Sequence, residues 1–151
     1  MYVVFVLPPF TDAGLLPPGM HRATWAEVEE RFGGSRGRRR LLDGLLRAAL
    51  NLRSAGAVVL WLDGSFVTSK PEPGDYDGAW DMARVDLDKV DPIFVDEVDL
   101  SSGRLKQKAK YGGELLATVE LRSGMPFQLF FQQTADGDVK GIVLLDLRTL
   151  P

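Results

Sequence analysis

The sequence contains no cysteine and a single histidine, His21. The first absence removes disulfides, thiolate metal sites and cysteine nucleophiles together. The second removes any multi-histidine metal centre within one chain. An excess of positive charge is missing too. With 18 basic against 21 acidic residues the net charge is −3. That excludes a globally basic nucleic-acid binder, while a local basic groove stays open. No apolar run reaches the length that crosses a bilayer. The opening "MYVVFVLPPF" carries no basic segment ahead of its apolar residues, and prolines follow at once. It makes a poor signal peptide. The expectation is a cytoplasmic protein with no membrane partner.

What is present is ordinary globular composition, 45% apolar and 26% charged over 151 residues. A chain of that length buries a real core within one domain. No internal repeat or low-complexity tract divides it, so residues 1–151 are read as a single domain. Residues 1–22 include "LPPF" and "GLLPPG". Proline restricts itself and the residue before it, which predicts an extended Pro-rich arm packed on the body.

Thr24 and Glu27 fit a capping box ahead of a short helix that Gly33 and Gly34 stop. A longer helix is predicted over about 36–55, with Leu41, Leu42, Leu45, Ala49 and Leu52 on one face. "AVVLWLDGSF" reads as a buried strand and "DYDGAW" as its partner across a proline turn. "PIFVDEV" reads as a strand within a segment holding seven acids between Asp81 and Asp99. "GRLKQKAKYGG" reads as a basic helix to Tyr111. "ELLATVEL", "PFQLFFQQ" and "GIVLLDL" are strand candidates, the last two joined by a hairpin at "TADGDVKG". The order predicts an α+β domain with a mixed or mostly antiparallel sheet and helices packed on one side.

The stretch that raises a question is "LDGSFVTSKPEPGDYDGAW". Residues two apart on a strand point to the same face, so Asp75 and Asp77 would lie side by side. Two like charges there repel by about 1 kcal/mol even near a wet surface. A magnesium ion removes that cost, since it takes one or two carboxylates along with phosphate oxygens and water. The corner Gly64-Ser65 supplies the complement. Glycine permits close backbone approach, and the serine hydroxyl with nearby N–H groups can hold a phosphate. Together these parts describe metal-assisted phosphoryl transfer. The alternative is a turn shaped by proline, glycine and aspartate with no chemistry.

A strand, Gly64-Ser65, then Asp75-x-Asp77 after a short loop resembles the signature of the polymerase-beta-type nucleotidyltransferase fold. "GLLPPGMHRATWAEVEERFG", "LDGSFVTSKPEPGDYDGAW", "QKAKYGGEL" and "KGIVLLDL" resemble, over almost the whole chain, a family of small bacterial proteins described as nucleotidyltransferase-like. Some of that family are suspected components of toxin–antitoxin or phage-defence loci. The resemblance implies that Gly64 and Ser65 hold the triphosphate of a nucleoside triphosphate. It implies that Asp75 and Asp77 bind magnesium and carry catalysis. It also implies a third carboxylate on a later strand beside the pair, to activate the attacking hydroxyl. "PFQLFFQQ" is the natural place for it, but its polar side chains are Gln128, Gln132 and Gln133. Asp96, Glu114, Glu120 and Asp146 are the other candidates.

Lys70, in the loop between Ser65 and Asp75, is either a phosphate contact or an ordinary loop lysine. Lys106 and Lys110 share a helix face at i,i+4 and either reach phosphates or form a solvated face. Arg36, Arg38, Arg39 and Arg40 cluster at a helix start, where the dipole disfavours cations. They serve an acidic protein or nucleic acid, or form a solvated or internally paired face with Asp43 in reach. His21 reads as a structural hydrogen-bonder, and Trp25, Trp61 and Trp80 as core. Two functions follow. One is a magnesium-dependent nucleotidyltransferase acting on RNA, such as tRNA, or on protein. The other is a non-catalytic protein of the same fold that binds the other half of a toxin–antitoxin pair.

Overall fold

The computed structural model describes residues 6–95, 100–118 and 140–151, with backbone alone for 100–104. The elements are β1 (Met20–Ala23), α1 (Trp25–Phe32), α2 (Arg36–Ser54), β2 (Val59–Asp63), β3 (Tyr76–Asp81), α3 (Leu100–Tyr111), β4 (Gly113–Thr118) and β5 (Ile142–Asp146). The fold is α+β, and its strands form one mixed sheet in the order β1-β5-β2-β3-β4. β1 runs parallel to β5 and β4 parallel to β3, while β2 pairs antiparallel with both β5 and β3.

Local sequence accounts for the helices. Thr24 Oγ1 accepts from the Glu27 N–H at 3.2 Å, which satisfies one orphan donor of α1. Ser35 does the same for α2, its Oγ accepting from Arg38 N–H at 3.1 Å. The apolar face of α2, Leu41, Leu42, Leu45, Ala48, Ala49 and Leu52, is buried against the sheet core. Leu60, Leu62, Tyr76, Trp80, Leu115, Val143 and Leu145 meet it from the strands. Alternation sends Trp61, Ala79 and Ile142 to the other face, where they form a second, smaller apolar cluster.

Two elements differ from the sequence reading. Within the described part of the Pro-rich arm, Leu7 and Leu16 are buried in the core. The arm's last residues, however, are β1: Met20 to Ala23 pair with Ile142 to Leu145. A four-residue strand directly after Pro17, Pro18 and Gly19 carries too little periodicity to be seen in sequence. The described part of "PIFVDEV" holds a 3-10 turn at Pro92–Phe94, which Asp91 caps through Ile93 N–H, and its residues 96–98 lie outside the described residues. Proline at the first position of that turn suits its fixed φ and missing donor. "PFQLFFQQ" and the "TADGDVKG" hairpin lie outside the described residues.

One close approach ties α2 to the end of α3. A Cβ on Gly44 would lie 2.0 Å from the Tyr111 carbonyl oxygen, so only glycine lets these backbones meet. The Tyr76 hydroxyl donates to that same carbonyl at 2.9 Å. Tyr76 is the residue between Asp75 and Asp77, so the helical layer grips the start of β3.

Candidate functional site

The site begins with strand register. Asp63, the last residue of β2, stands opposite Asp77 of β3, and Asp77 stands opposite Glu114 of β4. Directly paired residues on neighbouring strands have Cβ atoms about 5 Å apart. Tyr76 and Trp80 turn into the helical core, so Asp77 and its partners occupy the opposite face. Asp63, Asp77 and Glu114 line a hollow of about 110 Å³, together with Gly78 and Leu116. Asp75 sits just before β3.

The Gly64 corner closes one side of this row. Gly64 has φ +79°, and a Cβ there would lie 2.5 Å from Asp77 Oδ2. The Gly64 N–H donates to the Asp63 carboxylate. Ser65 starts a 3-10 turn, Ser65–Val67, and its carbonyl accepts from Thr68 Oγ1 at 2.6 Å. Arg38 holds the loop beyond. From a buried position it donates to the carbonyls of Phe32 (3.2 Å), Phe66 (2.7 Å), Thr68 (2.8 Å) and Lys70 (2.5 Å). Of the choices open for the arginine cluster, Arg38 thus takes the internal one. It fixes the loop from the corner to Lys70 against the start of α2.

Burial and neighbouring negative charge both act against ionised Asp77. Burial pushes the Asp77 carboxyl up to about 6, and the negative charges of Asp75, Glu114 and Asp63 add to that. Asp63 is also pushed upward by burial, while Lys140 opposes the rise. Two lysines answer the acids. Lys108 Nζ lies 2.7 Å from Asp75 Oδ2, and Lys140 Nζ lies 2.8 Å from Asp63 Oδ1. Among the described residues, Lys108 is also the cation whose charge lowers the Asp77 pKa.

The residues singled out in sequence fall as follows. Gly64, Asp75 and Asp77 come together, and Ser65 follows directly on the corner. Lys70 is exposed and lines a groove of about 350 Å³ with Ser35, Arg38 and Glu72, none of which lines the hollow of the acids. Lys106 is exposed. Lys110 turns away from the acids: its Nζ lies 2.5 Å from Asp91 Oδ2 and 5.2 Å from the Tyr111 ring centre. Asp146 is bound at 2.8 Å by Arg148 at the end of β5. Asp96, Glu120 and the three glutamines lie outside the described residues. The neighbours of β3 are β2 and β4. Of the candidate third acids among the described residues, Glu114 on β4 is the one that stands beside Asp77, as Asp63 does on β2; "PFQLFFQQ" lies outside the described residues.

Sequence reasoning did not select Asp63, Lys140 or Lys108, although Lys108 stands in the same alternating lysine run as Lys106 and Lys110. Asp63 was visible as the residue before Gly64, but its place opposite Asp77 depends on a register that the loop length leaves open. Lys108 lies two residues from each of Lys106 and Lys110, so helical geometry puts it on the opposite side from both. No group of three or more acid or histidine side chains among the described residues is already gathered to hold a metal ion. Magnesium needs no such cage, because water and phosphate oxygens complete its shell. The donor chemistry fits it. Asp75, Asp77 and Glu114 offer hard oxygens alone, and Asp77 is a half-buried carboxylate whose ionised form burial disfavours.

Residues 8–146 match the family of unknown function DUF6932. The chain belongs to that family. Neither a curated protein nor a solved structure matches it. For this DUF6932 member the row of acids beside Gly64 is thus the feature from which chemistry has to be argued. Its described residues include no helix long and apolar enough to cross a membrane.

Proposed function

We propose that this cytoplasmic protein is a magnesium-dependent nucleotidyltransferase, with a nucleoside triphosphate as donor and RNA or protein as acceptor. The observation that carries the reading is the in-register row Asp63–Asp77–Glu114, set against the Gly64 corner and flanked by Asp75. Lys108 and Lys140 pair with Asp75 and Asp63, and a divalent cation would relieve the repulsion that remains around Asp77.

Asp75 and Asp77 would hold the ion. When bound, magnesium would neutralise the acids and supply a Lewis acid to the phosphoryl oxygens. Ser65 would offer a phosphate its hydroxyl at the start of the turn, next to Gly64, whose own N–H is held by the Asp63 carboxylate. Glu114, next to Asp77 on the adjoining strand, would accept the proton of the attacking hydroxyl at its carboxylate. Arg38 keeps the loop rigid, so the corner enters the reaction already ordered.

The test is incorporation of labelled nucleotide into tRNA and into protein. The reading predicts labelling by the wild-type chain and none by the Asp75→Ala/Asp77→Ala variant. Equal labelling by both would remove it. A second reading is favoured by one observation: Lys108 and Lys140 already neutralise Asp75 and Asp63 without any metal. A non-catalytic protein that binds the other half of a toxin–antitoxin pair would keep those ion pairs permanently. Stable co-purification with the neighbouring gene product, with no response to magnesium, would favour this reading over the first.

A further inference from the structure

The ion pair between Lys108 and Asp75 stands where the proposed function needs a metal. Lys108 projects from α3 and meets a carboxylate that precedes β3. Its side chain is 44% exposed and that of Asp75 is 26% exposed. An ion pair so open to water is weakly held, and a divalent cation offered a second carboxylate can replace it. The other pair differs. Lys140 and Asp63 are 11% and 9% exposed, so Lys140 stays as a fixed counter-charge. One lysine at this site is poised to move and the other is not.

We infer that Lys108 is a two-position residue: it serves as the counter-ion of Asp75 until a divalent cation takes its place, and the released ammonium then pairs with the phosphate that the cation brings. The inference rests on the proposed function and deepens it, by assigning to Lys108 a phosphate-contacting role that sequence spacing gave to Lys106 and Lys110. The chemistry supports the second position. A released ammonium stays within reach of the acid row on its flexible four-carbon stem. Once the acids are neutralised, the anionic group there is the phosphate chain. Lys110 is occupied by Asp91 and Tyr111 and does not compete for it.

The two positions predict effects of opposite sign on two ligands. Manganese is the probe for the cation, measured by titration calorimetry, and inorganic triphosphate with saturating manganese is the probe for the anion. Lys108→Ala should bind manganese about two- to five-fold more tightly than wild type, because no ammonium must leave first. It should bind triphosphate at least three-fold more weakly. Lys106→Ala, which removes the same charge two residues away, should leave manganese affinity unchanged.

Equal tightening by both variants would reduce the effect to net charge and overturn the exchange. Manganese affinity unchanged in Lys108→Ala would overturn it as well. Triphosphate affinity unchanged in Lys108→Ala would overturn the second position. These outcomes leave the nucleotidyltransferase reading standing. Failure of wild type and Lys108→Ala alike to bind manganese would overturn both.

Discussion

Asp77 stands next to Glu114 across the parallel pairing of β3 and β4, and opposite Asp63 across the antiparallel pairing of β3 and β2. Asp77 is therefore the middle of three carboxylates on adjoining strands. Its carboxyl is held at about 6, with burial the largest cause and the Asp75, Glu114 and Asp63 charges next. Ionising Asp77 is therefore unfavourable in the bare protein, and that is the physical basis of the proposed function.

The first prediction concerns pH. An acid whose folded pKa lies above its unfolded value binds more protons in the folded state. Stability therefore falls as pH rises through the window from 3.8 to about 6, and the full penalty remains above it. At about 1.4 kcal/mol per pKa unit the penalty approaches 3 kcal/mol, and solvent screening at this half-open site brings it to about 1–2 kcal/mol. Asp77→Asn should be more stable than wild type by about that amount at pH 8. The gain should vanish near pH 4. Urea denaturation at both pH values measures it, and a gain of equal size at pH 4 would assign the effect to packing.

Gly64→Ala forces a methyl group to within 2.5 Å of Asp77 Oδ2, at a backbone φ of +79°. The strained backbone costs about 1–3 kcal/mol. The clash also displaces the Asp77 carboxylate. Thermal unfolding should drop by several degrees, and manganese binding should weaken more than that stability loss explains. Normal manganese affinity in a folded Gly64→Ala protein would separate the corner from the acids.

How much of this was legible in the sequence depends on the length scale of the cause. The Thr24 cap, the apolar face of α2 and the antiparallel pairing of β2 with β3 follow from contacts within a few residues or from clear periodicity. The pairing of β3 with β4 does not. It joins Asp77 to Glu114 across more than thirty residues, and no local signal selected Glu114 from the other acids. β1 was hidden for a related reason, since four residues gain strand character only by pairing with β5. Arg38 read as one of four like charges at a helix start. What sets it apart is that the loop of residues 66–70 returns over it.

Arg38 is the anchor of that loop and yields the third prediction. Arg38→Ala leaves four carbonyls each with one donor fewer. The expected loss is about 3 kcal/mol or more, or roughly 6–12 °C in Tm. Lysine should not rescue it, because an ammonium lacks the planar fork that spans several carbonyls. A Tm within a degree or two of wild type for Arg38→Lys would contradict this role.

Tyr76→Phe removes the donor to the Tyr111 carbonyl and alters nothing on the acid face. One buried carbonyl loses a partner, at about 1–2 kcal/mol. The effect should appear in chemical denaturation and should be the same with and without magnesium. A loss that grows when magnesium is added would mean that the hydroxyl positions Asp75 and Asp77 for the ion.

The most direct measurement is the anomalous signal of manganese in crystals soaked with Mn²⁺ and a non-hydrolysable nucleoside triphosphate. The account predicts a manganese peak bound by Asp75 and Asp77, facing Gly64, with Lys108 withdrawn from Asp75. Saturating manganese with no peak at these acids, and Lys108 still paired with Asp75, would contradict it.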